Sequence, residues 1–150
     1  VIILSVVEFG GGYIQALFVI RLDPGKYKYL LSICDRKVSS HCLIERDGNV
    51  IQFVSFLDRA WHAGVSSWQG EPVCNNYSIG IELEGTDDLS YTDSQYQQLD
   101  QLIRCIRHEY LTIEANGLCG HSDIAPGRKT DPGAAFDWPR LKRRLDQDIR

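Results

Sequence analysis

Apolar residues follow two different periods along this chain, and each period predicts a different element. The opening "VIILSVV" is apolar almost throughout and rich in β-branched residues, which predicts a strand buried on both faces. "FGGGY" breaks it, "YIQALFVIRL" suits a short helix, and "DPGKYKY" reads as a turn. "SSHCLIERDGNVIQFV" predicts two strands around Asp47-Gly48, a dipeptide that accepts the positive φ angles of a tight hairpin. In "YSIGIELEG" the alternation predicts another strand, with Ile79, Ile81 and Leu83 on one face and Glu82 and Glu84 on the other. The period then changes. "TDSQYQQLDQLIRCIRHEYL" opens on a Thr/Asp start and carries Tyr96, Leu99, Leu102, Ile103 and Ile106 at the three-and-four spacing of an amphipathic helix. A last helix is expected from Asp137 or Trp138 to near the end, with Pro139 tolerated in its first turn. Strands mixed with helices, and no repeat or linker, predict a single α/β domain over residues 1–150: a central mixed β-sheet flanked by α-helices.

Composition narrows the function classes. A chain of 150 residues can bury a core without metal or disulfide staples. No apolar run approaches the roughly 20 residues that cross a bilayer, so a membrane partner is not expected. With 16 Lys and Arg against 20 Asp and Glu, the net charge of −4 and the lack of a basic stripe before "RLKRRLDQDIR" argue against nucleic acid. The five cysteines at 34, 42, 74, 105 and 119 lack CxxC spacing and sit mostly among apolar neighbours. They read as buried free thiols in a reducing compartment. Methionine is absent altogether, so Val1 is not expected to be the native start.

The chemistry gathers in a few places. "GHSDIAPGRKTDPG" packs His121, Asp123, Arg128, Lys129 and Asp131 into a loop punctuated by glycine and proline. An imidazole and two carboxylates there could hold a cation, and the lysine could stabilise an anion. Glu82 and Glu84 share a strand face; if that face floors a cleft, Glu82, farther from the strand's end, is the better-enclosed general base. If it faces water, they are ordinary surface acids. His62 follows Trp61 in "RAWHAG", where an indole face and an imidazole can line a pocket or serve the fold. His108 reads as a surface residue.

Four segments, "VSSHCLIERDGNVIQFV", "RAWHAGVSSWQG", "NNYSIGIELEGTDDLSYTDSQYQQL" and "GHSDIAPGRKTDPGAAFDW", together resemble the AmpD-type 1,6-anhydro-N-acetylmuramyl-L-alanine amidases. That group belongs to the zinc amidase family that also contains the peptidoglycan recognition proteins. The resemblance runs in order from about Glu8 to Trp138. It implies a zinc ion with His121 and Asp131 as ligands, Glu82 as the base acting on water, and Lys129 as the cation stabilising the oxyanion. Asp123 matches no ligand and would order the loop. Trp61 and His62 would line the substrate side of the cleft, with His41 as a supporting residue there. The bond implied is the amide between the lactyl group of anhydro-N-acetylmuramic acid and the L-alanine of the stem peptide. The implied setting is cytoplasmic recycling of wall fragments by a monomer whose partner is an anhydromuropeptide.

The resemblance fails at one position. The family's first zinc ligand is a histidine on the first strand, and this chain has no histidine before His41. Aligned with a gap, Ile3 stands at that position; without one, the position falls before Val1. The "PPG" that usually precedes the family's glutamate is replaced by Ser5-Val6-Val7. Two readings follow: an amidase that cuts muropeptides, or a module that holds them in the same groove without cutting.

Overall fold

The computed structural model describes residues 1–7 and 38–147. The short helix expected in "YIQALFVIRL", the turn "DPGKYKY", the segment Glu8 to Gly11 and Cys34 lie outside the described residues. Five strands form one sheet in the order β3-β2-β6-β1-β7: β1 (Ile2–Val7), β2 (Cys42–Ile44), β3 (Val50–Gln52), β6 (Ile79–Glu84) and β7 (Leu118–Gly120). A separate hairpin pairs β4 (Ser67–Trp68) with β5 (Glu71–Pro72). β1, β2 and β6 run parallel, as do β1 and β7, while β2 and β3 are antiparallel, so the sheet is mixed as expected.

β1 is the strand that the unbroken apolar run predicts. It lies between β6 and β7, and Ile2, Ile3 and Leu4 are fully buried. Alternation divides the sheet into two faces. On one face, Ile2, Leu4, Ile44, Ile79, Ile81 and Leu83 pack against Tyr96, Leu99, Ile103 and Ile106 of helix α1 (Asp93–Glu109) and Leu141 of helix α3 (Trp138–Asp146). The opposite face carries Ile3, packed with Ala63, Cys119, Ile124 and Ala125, and on the same pleats Ser5, Gly80 and Glu82. Helix packing takes one face, and the chemistry takes the other.

Helix α1 starts where Thr92 stops the preceding loop. Thr92 Oγ1 accepts from the Gln95 N–H and Gln95 Oε1 accepts from the Thr92 N–H, each at 3.1 Å, so two otherwise unpaired donors of the first turn are satisfied. Ile103 and Ile106 occupy the core stripe of α1. Cys105, lying between them in sequence, therefore points outward and is exposed, which corrects the expectation of a buried thiol there. Cys42, Cys74 and Cys119 are buried and free. The β2–β3 hairpin is present, closed by residues 45–49 rather than by Asp47-Gly48 alone; Gly48 takes φ 92° while Asp47 Oδ1 accepts from the Asn49 N–H. Among the described residues no helix is long and apolar enough to cross a membrane.

Candidate active site

The register of the sheet decides which side chains meet. Glu82 on β6 stands level with Ser5 on β1, and Leu4 stands level with Gly120 on β7. One residue further along each strand, His121 leaves β7 and opens the short helix α2 (His121–Ile124). Gly120 N–H donates to Asp123 Oδ2 at 2.7 Å, so Asp123 closes the first turn of α2 and orders the loop, the role left to it by the sequence. Asp131 returns to the same place. Its backbone carbonyl accepts from the Ser122 N–H at 2.9 Å, and the Pro132 carbonyl beside it accepts from the Tyr91 hydroxyl at 2.9 Å.

His121 and Asp131 converge. His121 Nε2 lies 3.2 Å from the Ala63 carbonyl, which can only accept, so that nitrogen carries a proton. Its Nδ1 faces Asp131 Oδ2 at 3.1 Å. Only a proton on Nδ1 or a cation shared by the two atoms makes that approach favourable. The Val6 N–H also donates to Asp131 Oδ2 at 3.2 Å, tying the carboxylate to the end of β1. Burial pushes the Asp131 carboxyl up, but the His121 hydrogen bond and charge, with the Lys129 charge, outweigh it and hold the group below the usual range.

Glu82 behaves in the opposite way. It is 7 % exposed. Burial, and then the neighbouring Asp131 carboxylate, push its carboxyl up from 4.5 to about 8, with the Lys129 charge pulling the other way. Lys129 is itself exposed, held by the bond of its N–H to Ala125 O at 3.1 Å. The face shared by the two glutamates is therefore a buried floor at Glu82 and not a wet surface. Glu84, at the strand's end, accepts from the Arg46 N–H at 2.9 Å and belongs to the β2–β3 hairpin instead.

A sign follows for stability. The folded protein binds the Glu82 proton more tightly than the unfolded chain, so this contribution is complete below pH 4.5 and is lost as pH rises towards 8. Buried His41 and His62, both held below their ordinary 6.5, act the other way and lose stability only as pH falls beneath that value. Between 6.5 and 8 both histidines are silent, while the Val1 amino group, held below its ordinary 8.0 by burial, adds a slope of the opposite sign that is common to the unaltered chain and to any Glu82 variant. In that interval the Glu82 contribution to the stability of chelator-treated protein should fall by at most about 1.4 kcal/mol per pH unit, and Glu82→Gln should remove that fall. Denaturant melts of both proteins across this range check it; equal slopes would place the titration elsewhere.

Two histidines brace the same face. His41 Nδ1 accepts from the Gly80 N–H at 3.0 Å and its Nε2 lies 3.0 Å from Asp58 O, so both ring nitrogens are committed inside the protein and the residue, 1 % exposed, supports the sheet. The His62 ring covers Gly80. The His62 Nε2 lies 3.2 Å from Ser78 Oγ, whose own proton goes to Cys74 O at 2.6 Å, leaving His62 Nδ1 buried with no partner among the described residues. Burial first, then the His41 and His121 charges, press its pKa down to about 3. A Cβ on Gly80 would come within 2.3 Å of the His62 ring, so only glycine fits beneath it. Gly80→Ala should displace that ring and cost about 1–3 kcal/mol, read as a Tm fall of about 2–4 °C per kcal/mol; an unchanged Tm would show that the ring is not packed there. Trp61 is half-buried, with the Arg59 guanidinium 3.8 Å above its ring.

The structure therefore brings Glu82, His121, Asp131 and the Lys129 charge together, with His62 and His41 behind them. Two atoms, His121 Nδ1 and Asp131 Oδ2, are disposed to hold a metal; their 3.1 Å separation is near one edge of a tetrahedron with bonds of about 2.0–2.1 Å. The proton on Nε2 donated to a backbone carbonyl is the usual support of a metal-binding imidazole. Among the described residues no set of three His, Cys, Asp or Glu side chains converges on one metal position. The β1 residue at the level of the site is Ser5, not Ile3: Ile3 pairs with Gly80 and Cys119, one pleat below, and is packed in the apolar cluster. Sequence reading missed Ser5. Its signal was strand parity, counted against the level of Glu82.

Known proteins resemble this chain over most of its length. The profile of the N-acetylmuramoyl-L-alanine amidase family matches residues 15–134. The 1,6-anhydro-N-acetylmuramyl-L-alanine amidase AmpD of Salmonella typhimurium (strain SL1344) is 56% identical over 135 residues, covering 90% of this chain and 72% of the relative. A crystal structure of a selenomethionine AmpD derivative superposes with a TM-score of 0.89 at 49% identity, covering 97% of this chain and 83% of that one. AmpDh3 from Pseudomonas aeruginosa, solved in complex with anhydromuramic pentapeptide, superposes with a TM-score of 0.76 at 30% identity, over 95% of this chain and 58% of the other.

Proposed function

The chain belongs to the N-acetylmuramoyl-L-alanine amidase family, and from that premise we propose that it hydrolyses the amide between the lactyl group of anhydro-N-acetylmuramic acid and the L-alanine of a stem peptide. The observation that carries this reading is the buried Glu82 carboxyl within electrostatic reach of Asp131, which is paired with His121. A zinc ion bound by His121 Nδ1 and Asp131 Oδ2 would polarise a water and the scissile carbonyl.

The chain's own residues do the rest. Glu82, as the carboxylate, takes a proton from the attacking water and passes it to the departing alanine nitrogen. Its raised pKa makes it a stronger base than an exposed glutamate and a competent acid in the second half of the step. Lys129, whose charge already reaches Glu82 and Asp131, stabilises the negative charge developing on the amide oxygen. Half-buried Trp61 borders the substrate side, and buried His62 supports the site from behind. The free thiols, exposed Cys105 among them, suit the reducing cytoplasm in which recycled wall fragments are degraded.

The experiment is direct: purified protein with zinc is incubated with anhydro-N-acetylmuramyl tripeptide, and mass spectrometry follows the free peptide. Release of a peptide with a new alanine amino terminus is expected. Binding by calorimetry without release would overturn hydrolysis in favour of the second reading, a muropeptide-holding module, which the lack of a third metal donor among the described residues favours.

A further inference from the structure

Among the described residues the donor set is one short of what a catalytic zinc ordinarily has, three protein ligands and an open position. The structure shows where the third would stand. Ser5 lies at the end of the site-facing row of β1, level with Glu82 on one side and, by the Leu4–Gly120 register, beside His121 on the other. Adjacent strands are about 4.8 Å apart, and residues at one level share a face. The next residue, Val6, donates its N–H to Asp131 Oδ2, so the other donor is within one residue of Ser5 as well. Ser5 is 2 % exposed and its Oγ has no hydrogen-bond partner among the described residues. A buried hydroxyl without a partner is costly, and by strand parity this one stands on the sheet face that carries Glu82, one residue from the Val6 N–H that holds Asp131.

We propose that Ser5 occupies the third-ligand position of the His121–Asp131 site and leaves it, among the described residues, a two-donor metal centre that holds zinc weakly and exchangeably. A serine hydroxyl is neutral and ordinarily keeps its proton, so it adds little to zinc affinity beside an imidazole, a thiolate or a carboxylate. The proposal rests on the reading of His121 and Asp131 as metal donors, and its test separates the two.

Zinc affinity is measured by competition with a chromophoric chelator for the unaltered chain, Ser5→Cys, Ser5→His, Ser5→Ala and His121→Ala. Ser5→Cys is close to isosteric and covers the case in which the larger imidazole of Ser5→His does not fit. The unaltered chain and Ser5→Ala should be similarly weak, and Ser5→Cys should tighten zinc by at least about 100-fold. With cobalt in place of zinc, Ser5→Cys should add a thiolate-to-metal charge-transfer band that the unaltered chain, with its native cysteines, does not show. Tight binding by the unaltered chain that is lost in His121→Ala, or no gain and no new band in Ser5→Cys, overturns the role of Ser5 and leaves the metal reading standing. Zinc binding indifferent to His121→Ala overturns both.

Discussion

Glu82→Gln is expected to slow muropeptide hydrolysis by about 10²–10⁴-fold, the range that a positioned general base contributes. Glutamine keeps the shape and removes the basic oxygen. The side chain is buried between Ser5 of β1 and Leu43 of β2, so a substitute of similar volume should leave the sheet register and the His121–Asp131 pair undisturbed. KM for the anhydromuropeptide should therefore change little while kcat collapses, the pattern of a group that acts in the transition state. The pH profile supplies a second sign. Only the carboxylate can accept the water proton, so the rate of the unaltered chain should rise with pH through the Glu82 pKa, about 8 with no cation beside it and lower with one bound. That rising limb should vanish in Glu82→Gln. Steady-state kinetics over pH decide it: near-normal turnover in the variant would remove Glu82 from the role of base.

How much of this was legible beforehand depended on the length of each element. β1, β6 and α1 announce themselves because several turns or pleats repeat one pattern, and the β2–β3 hairpin because Asp47-Gly48 marks its turn. β7 has three residues and ends in a glycine, too short for a period to show, and the β4–β5 hairpin has two residues on each side of Gln69 and Gly70, both at positive φ. Within the site, the alternation in "IELE" placed Glu82 and Glu84 on one face, but only burial in the assembled sheet separates the base from a hairpin anchor. His121 and Asp131 were singled out as candidates by type and by resemblance. Their approach depends on β7 delivering His121 beside Ser5 and on the Val6 N–H and Tyr91 hydroxyl holding the returning loop, contacts between residues 41 to 125 positions apart. No local pattern encodes those.

That dependence makes Asp131 the second position of large effect. In Asp131→Ala the site keeps, among the described residues, one strong donor, His121, and zinc should be lost from the protein together with hydrolysis, so that the variant and the chelator-stripped parent have the same residual rate. The same side chain also accepts from the Val6 N–H and faces the His121 ring, so its removal leaves the end of β1 short of an acceptor in a half-buried place. That should cost about 1–3 kcal/mol, a Tm lower by several degrees in the absence of any metal. Asp131→Asn separates the two roles. Its amide oxygen can still accept from Val6, so most of the stability should return, while a neutral amide is a poor zinc ligand and the metal should remain absent. Metal analysis and thermal melts of the two variants carry the test. Full zinc occupancy in Asp131→Ala would remove Asp131 from the ligand set, and an equal loss of stability in both variants would mean that charge, rather than the hydrogen bond to β1, is what Asp131 contributes to the fold.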